Sequence, residues 1–267
     1  DQFNLQHYDI TKMSPNLLGL LPEKIWGFLL SRNVKLLPKI LSDSKPLEWY
    51  GNINATSTAA EAEEYGSLIS KNNSKGSVKI VNTGTIDKYS SLWGNCEITH
   101  SGKRFLKPYL PLNNTIINNR RRQMYMSPKI VFAKMAKECE ALLDLDGEYA
   151  SINTNCFYSP NSETELEFVG AFCNSKLFMF IYELFFKALR MSGGYYQFQA
   201  PQLRVIPLKE ISKPKQRHFV ELVRKIVMTK KRDPNADTST PERQIDKMVY
   251  KLYDLTPEEI AIVEGEA

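Results

Sequence analysis

The stretch ELEFVGAFCNSKLFMFIYELFFKALRM, Glu165 to Met191, decides the fold class. It is apolar almost all round except for Lys176, Glu183 and Lys187, whose spacing puts them on one stripe of a helix. A helix with apolar residues on nearly every face has to be enclosed by other elements, so this reading predicts a long, central, buried helix. Lys176, Glu183 and Lys187 also break the most apolar run, Leu177 to Tyr182, well short of the ~18 residues a bilayer crossing requires. No membrane partner is therefore expected. The pair Gly193-Gly194 reads as the stop signal that ends the helix.

Working outward, strand signals dominate upstream. Val78 to Asn82 and Lys129 to Met135 are rich in β-formers, and Tyr149 to Tyr158 reads as a strand bounded by Gly147 and Pro160. Gln202 to Pro207 alternates enough to pass for another short strand. Near the N-terminus, Ile25, Phe28, Leu29, Leu36, Leu37 and Ile40 recur mainly at helical spacing, predicting one or two helices between Pro22 and Leu41, and Ala59 to Tyr65 suits a short one. Past Ile211 the texture is helical. Lys213 to Met228 is a helix candidate, Thr229 to Ser239 a basic and polar linker, and Thr240-Pro241-Glu242 a helix start. Ile245, Met248, Val249, Leu252 and Tyr253 then form an amphipathic stripe, and Thr256-Pro257-Glu258-Glu259 is a capping box. The sum is an α+β fold: a mixed-sheet core with a long buried helix, flanked by N-terminal helices and a C-terminal helical tail. The expected organisation is a helical linker region over 1–75, the core over 76–211 and the tail over 212–267.

At 267 residues, 42% hydrophobic and 24% charged, the composition excludes disordered, collagen-like and coiled-coil chains. The net charge of +5 says little by itself, but its distribution is uneven. Ile98 to Lys137 holds Lys103, Arg104, Lys107, Arg120, Arg121, Arg122, Lys129, Lys134 and Lys137 without one Asp or Glu, so the rest of the chain is net acidic. Asn113, Asn114, Asn118, Asn119, Gln123 and His100 are interleaved, side chains able to hydrogen-bond phosphates or base edges. That mixture suits a polyanion; a solvated basic loop is the plainer alternative. Cys96, Cys139, Cys156 and Cys173 show neither Cys-x-x-Cys spacing nor a nearby His pair, which argues against a disulfide scaffold or zinc site and for a reducing cytosol. The chain starts without Met, a basic leader or an apolar leader segment, so no signal peptide is expected and a piece of a longer protein is.

The search for catalytic groups is mostly negative. His7, His100 and His218 lie in unrelated contexts, and no nucleophile elbow, zincin motif or P-loop occurs. Asp144-Leu-Asp146-Gly147-Glu148 gathers carboxylates that could hold a hard metal, but Asp-Gly between two strand-like stretches is first of all a turn. Ser192-Gly-Gly-Tyr-Tyr-Gln-Phe-Gln-Ala-Pro201 sets two glycines ahead of aromatics and amides that could stack on bases, or else caps a helix and leads into a strand. Asn82-Thr-Gly-Thr-Ile-Asp-Lys-Tyr89 could likewise present hydroxyls to a phosphate at Gly84, or simply pack.

Asn82-Thr-Gly-Thr-Ile-Asp-Lys-Tyr89, Trp93-Gly94, Lys107-Pro-Tyr109, Ser127-Pro-Lys-Ile-Val131, Asn174-Ser-Lys-Leu177 and Ser192-Gly-Gly-Tyr195 with Pro201-Gln-Leu203 resemble, in that order, the TaqI-like C-terminal specificity domain of bacterial N6-adenine DNA methyltransferases and fused restriction-modification enzymes. The tail, from Ala236 to Gly265, looks like the terminal helices of such enzymes. The resemblance implies a part that grips double-stranded DNA and reads its sequence, while a separate methyltransferase domain of the same parent chain binds S-adenosylmethionine and methylates a flipped adenine. The family's Asn/Asp-Pro-Pro-Tyr/Phe tetrapeptide is absent, no Pro-Pro occurring at all, so this chain is expected to hold no cofactor and not to methylate alone. A bacterial cytoplasmic setting follows from the same resemblance. The candidate DNA-binding residues are Lys103, Arg104, Lys107, Arg120, Arg121, Arg122, Lys129, Lys134, Tyr195, Tyr196 and Gln197, with the three arginines foremost because Arg pairs bidentately with phosphate or guanine. Two other readings stay open: a metal-dependent nuclease using Asp144, Asp146 and Glu148, and a protein-interaction scaffold.

Overall fold

The strand Lys129–Phe132 is buried along its whole length and has partners on both edges, which makes it the centre of the molecule. In the computed structural model, which describes residues 32–266, it pairs antiparallel with Ala141–Asp144 on one side and Asn155–Tyr158 on the other. Asn52–Ala55 adds a fourth antiparallel strand beyond Asn155–Tyr158. The register aligns Ala55, Asn155, Phe132 and Ala141 at one end of this sheet, and Asn52, Tyr158, Lys129 and Asp144 at the other. A second sheet supplies the mixed pairing: Ser77–Val81 runs parallel to Tyr149–Ser151 and antiparallel to Tyr109–Pro111.

The expected strand Tyr149 to Tyr158 is therefore two strands in two sheets. Asn153 takes a left-handed φ of 56° between them, a conformation Asn tolerates better than most residues, and the chain turns from one sheet to the other. The expected strand over Gln202 to Pro207 is also corrected. Pro201 opens a short helix, Ala200–Arg204, and only Pro207–Lys209 is extended, pairing with Ser44–Pro46.

The long buried helix is likewise divided. Leu166–Cys173 and Lys176–Phe186 are separate helices, and the axis bends by 64° at the break. Asn174 is the cause. Its Nδ2 donates to Ala141 O (2.9 Å) and Gly170 O (3.2 Å) while its Oδ1 accepts from Ala141 N (3.1 Å), so the side chain acts as a strand partner for the edge of the central sheet. Ser175 then restarts the helix, its hydroxyl accepting from Phe178 N at 3.2 Å. Every residue of the first helix is buried, including Glu167, which pairs with Arg224 at 2.7 Å. No single helix among the described residues is long and apolar enough to cross a membrane.

The helix Lys213–Arg232 extends into the first four residues of the expected linker and packs Gln216, Phe219, Leu222, Val223 and Ile226 inward, with Phe219 edge-on to Phe168. The next helix, Ser239–Leu252, starts behind Thr238, two residues before the expected cap. Tyr253 stacks on Phe172 and donates its hydroxyl to Pro207 O at 3.0 Å, tying the tail to the core. One hydrophobic cluster runs from Val34 to Tyr253 and includes Ile53, Tyr65, Phe132, Phe172 and Val249, crossing the boundaries expected at 75 and 211. Leu36, Leu37 and Ile40 belong to it, whereas Ile25, Phe28 and Leu29, where a helix was expected, and His7 lie outside the described residues.

Candidate nucleic-acid interface

At the end of the sheet marked by Ala55, Asn155 and Phe132, three loops meet. Thr83 Oγ1 donates to Asn153 O at 3.3 Å and accepts from Lys134 N at 3.1 Å, joining the Asn82-Thr-Gly-Thr turn to the two loops beside it. Lys134 O in turn accepts from Phe198 N (2.9 Å), and Phe198 O accepts from the Asn155 amide (2.9 Å). Met135–Ala136 pairs antiparallel with Tyr196–Gln197, which sets the segment Leu189 to Gln197 alongside Lys134 to Lys137. Gly193 and Gly194, at φ of 80° and 85°, let that segment turn so tightly that Met191 N reaches Tyr195 O at 2.8 Å.

The resulting surface mixes cations with exposed rings and thioethers. Lys137 Nζ lies 5.7 Å from the centre of the Tyr195 ring, and the Arg190 guanidinium 5.6 Å from that of Tyr196. Lys134 is exposed, and Tyr195, Met135, Met191 and Leu189 are exposed large side chains. Exposed cations beside the accessible Tyr195 ring and apolar tips are what a nucleic-acid backbone and its bases can use together.

The sequence candidates divide on this surface. Lys134 and Tyr195 stand on it, and Gln197 is half-buried at its margin. Arg120 is exposed in the first turn of the helix Asn119–Met126. Lys103 and Arg104 are exposed on the hairpin Ile98–His100/Lys103–Phe105, which His100 ties to Ala62 O at 2.7 Å. Lys107 is exposed over Gly94.

Four candidates are corrected. Lys129 has no exposure at all, its ammonium being enclosed by Asp144, Tyr125 O and Ser127 O. Tyr196 is buried and donates its hydroxyl to Glu183 at 2.8 Å. Arg121 binds Glu61 through Nε and Nη2 and Ala55 O through Nη1 at 2.6 Å, so it holds the helix to the sheet end. Burial pushes the Glu61 carboxyl up, but the hydrogen bonds from Arg121 and Thr58 outweigh it and hold Glu61 below the usual carboxylate range. Arg122 donates to Leu112 O (2.7 Å) and Ile117 O (3.2 Å), closing the loop that precedes its own helix. An arginine run fits an anionic ligand and a loop of unpaired carbonyls equally well; only the fold separates the two.

Residues missed by sequence reading are Arg190 and Asn153, together with Lys137, whose charge was counted but whose place was not; Thr83 lies in the turn that the sequence had already singled out. Arg190 carried a signal: it is the last cation before Gly193-Gly194.

The carboxylates of the nuclease reading are each matched to a cation. Asp144 faces Lys129, Asp146 binds Lys231 at 3.0 Å, and Glu148 binds Lys79 at 3.2 Å and Lys231 at 3.3 Å. Asp144 also accepts from Glu148 N and Tyr149 N, so the cluster is a turn locked onto its neighbours.

The sequence model of a family described as the TaqI-like C-terminal specificity domain matches residues 63–208, more than half of the chain. No curated protein matches it. The matched span holds all three loops of the surface.

Proposed function

The chain belongs to the TaqI-like C-terminal specificity domain family, a specificity domain of restriction-modification enzymes, and we propose that its three-loop surface grips double-stranded DNA for a separate catalytic domain. The observation that carries this reading is the pairing of Met135–Ala136 with Tyr196–Gln197, which sets Lys134, held to Thr83, and Lys137 alongside the segment bearing Arg190 and Tyr195. Phosphates meet the cations, and the exposed Tyr195 ring faces the bases. Arg120 extends the cationic rim. The parent protein in this reading is an N6-adenine DNA methyltransferase whose S-adenosylmethionine site lies in the catalytic domain, since this sequence has no Pro-Pro for the methyl-transfer tetrapeptide.

Fluorescence anisotropy with a duplex across a salt series tests the grip. The native chain should show log K falling with log salt, and changing Lys134, Lys137 and Arg190 together to Ala should lower the slope by about 3, one for each phosphate no longer neutralised. An unchanged slope and affinity would remove this surface from DNA binding. Arg121→Ala is expected to lower stability rather than change the slope.

A further inference from the structure

The helix Lys213–Arg232 carries eight Lys or Arg side chains against one carboxylate, Glu221, over its 20 residues. The cations divide by what they meet. Lys213, Arg224, Lys230 and Lys231 pair with Glu165 (3.4 Å), Glu167 (2.7 Å), Asp87 (3.3 Å) and Asp146 (3.0 Å), which clamps the helix onto the core. Arg217, Lys225 and Arg232 are exposed, and their side chains have no ion pair or hydrogen bond among the described residues. At 3.6 residues per turn and 1.5 Å per residue, these three fall within an arc of about 80° and a rise of about 22 Å. Their row lies on the side away from the buried stripe of Phe219, Leu222 and Ile226. Lys215, exposed in the first turn, lies off the row.

A row of unpaired cations on a rigid helix suits an extended anion. Duplex DNA presents one charge per ~1.7 Å of its axis, so about 22 Å of helix faces the phosphates of roughly six base pairs. An acidic protein suits it less. Protein interfaces are centred on apolar and aromatic side chains and are poor in Lys, whereas this helix exposes one large apolar side chain, Met228. The place differs from that of the three loops. Lys231 also reaches Glu148, and Asp146 and Glu148 follow Asp144, which the register sets at the other end of the central sheet.

We propose that the outer face of this helix is a second DNA site, which holds the backbone of another duplex segment without reading its sequence. Its cations stand apart from the three-loop surface, and only the choice of DNA as the polyanion rests on the reading of that surface as a grip. Glu221 tunes the site. It is exposed, lies one turn from both Arg217 and Lys225, and faces His218 Nδ1 at 3.4 Å, so it opposes a phosphate there.

The test starts from the full chain with Lys134, Lys137 and Arg190 changed to Ala, which removes the three-loop grip. Anisotropy with a short duplex of arbitrary sequence at low salt should still show binding, with log K falling against log salt at a slope of about −3. Changing Arg217, Lys225 and Arg232 to Gln as well should abolish it. Gln is a good helix former and the three side chains hold nothing, so the melting temperature should stay where it is. Glu221→Gln should instead tighten the residual binding about two- to threefold. The native chain should take up two short duplexes, and the chain with only the helix row changed should take up one. Residual binding indifferent to the helix row and to Glu221 would overturn the second site. Loss of all binding on removal of the three-loop cations would also overturn it, and would leave the grip standing. Loss of all binding on changing the helix row alone would overturn the grip and keep the helix site.

Discussion

Lys129→Met should lower the unfolding free energy by about 3–5 kcal/mol, the range for removing one partner of a buried ion pair. Lys129 sits on the central strand directly opposite Asp144 in the register, and both side chains are essentially unexposed. Met keeps most of the aliphatic stem, so the loss is electrostatic and not a cavity. The Asp144 carboxylate would keep its hydrogen bonds from Glu148 N and Tyr149 N but lose the cation that faces it, inside the protein. Lys129 Nζ also holds Tyr125 O and Ser127 O at the end of the arginine-bearing helix, so that helix loosens too. Urea unfolding monitored by circular dichroism measures the change. The double variant Lys129→Met/Asp144→Leu should recover much of the loss, because it removes both charges. A loss below about 1 kcal/mol would mean that the pair is solvated and that Lys129 is free to act as a surface cation.

The second large effect is expected at Gly147, in the turn of the acidic cluster. Its φ is +67°, and a Cβ built there would lie 2.1 Å from Met126 O, a backbone atom that cannot rotate aside. Gly147→Ala therefore combines left-handed strain with displacement of the helix Asn119–Met126, and should cost about 3 kcal/mol. Gly76, also at positive φ but with open space around its Cβ position, is the control: Gly76→Ala should cost about 1–2 kcal/mol, from the left-handed strain alone. Equal melting temperatures for the two variants would contradict the close approach. The sequence marked Asp146-Gly147 as a turn, and the structure shows why the glycine there also matters to the neighbouring helix.

The α+β class and most element positions were legible because they rest on local periodicity and capping. Ser77–Val81, Lys129–Phe132, Ala59–Tyr65 and the capping box at Thr256 all follow from neighbouring residues. Two of the errors share one cause. Asn174 and Asn153 break elements by bonding or turning toward strands distant in sequence, and no local pattern reveals such partners. The interface was half legible for the same reason. A one-sign stretch shows that cations are abundant but not which of them face solvent. Lys129, Arg121 and Arg122 are claimed by Asp144, Glu61 and backbone carbonyls, whereas Lys134 is left exposed and Arg190, from another segment, comes to stand beside the same loops.

Amide hydrogen exchange of the full chain, with and without a duplex at low salt, tests the central claim most directly. The account predicts that added DNA slows exchange in Thr83–Thr85, Lys134–Lys137, Asn153 and Leu189–Gln197 together, with little change from Ser239 to Glu264. Protection confined to the C-terminal helices, or to the hairpin bearing Lys103 and Arg104, would contradict it.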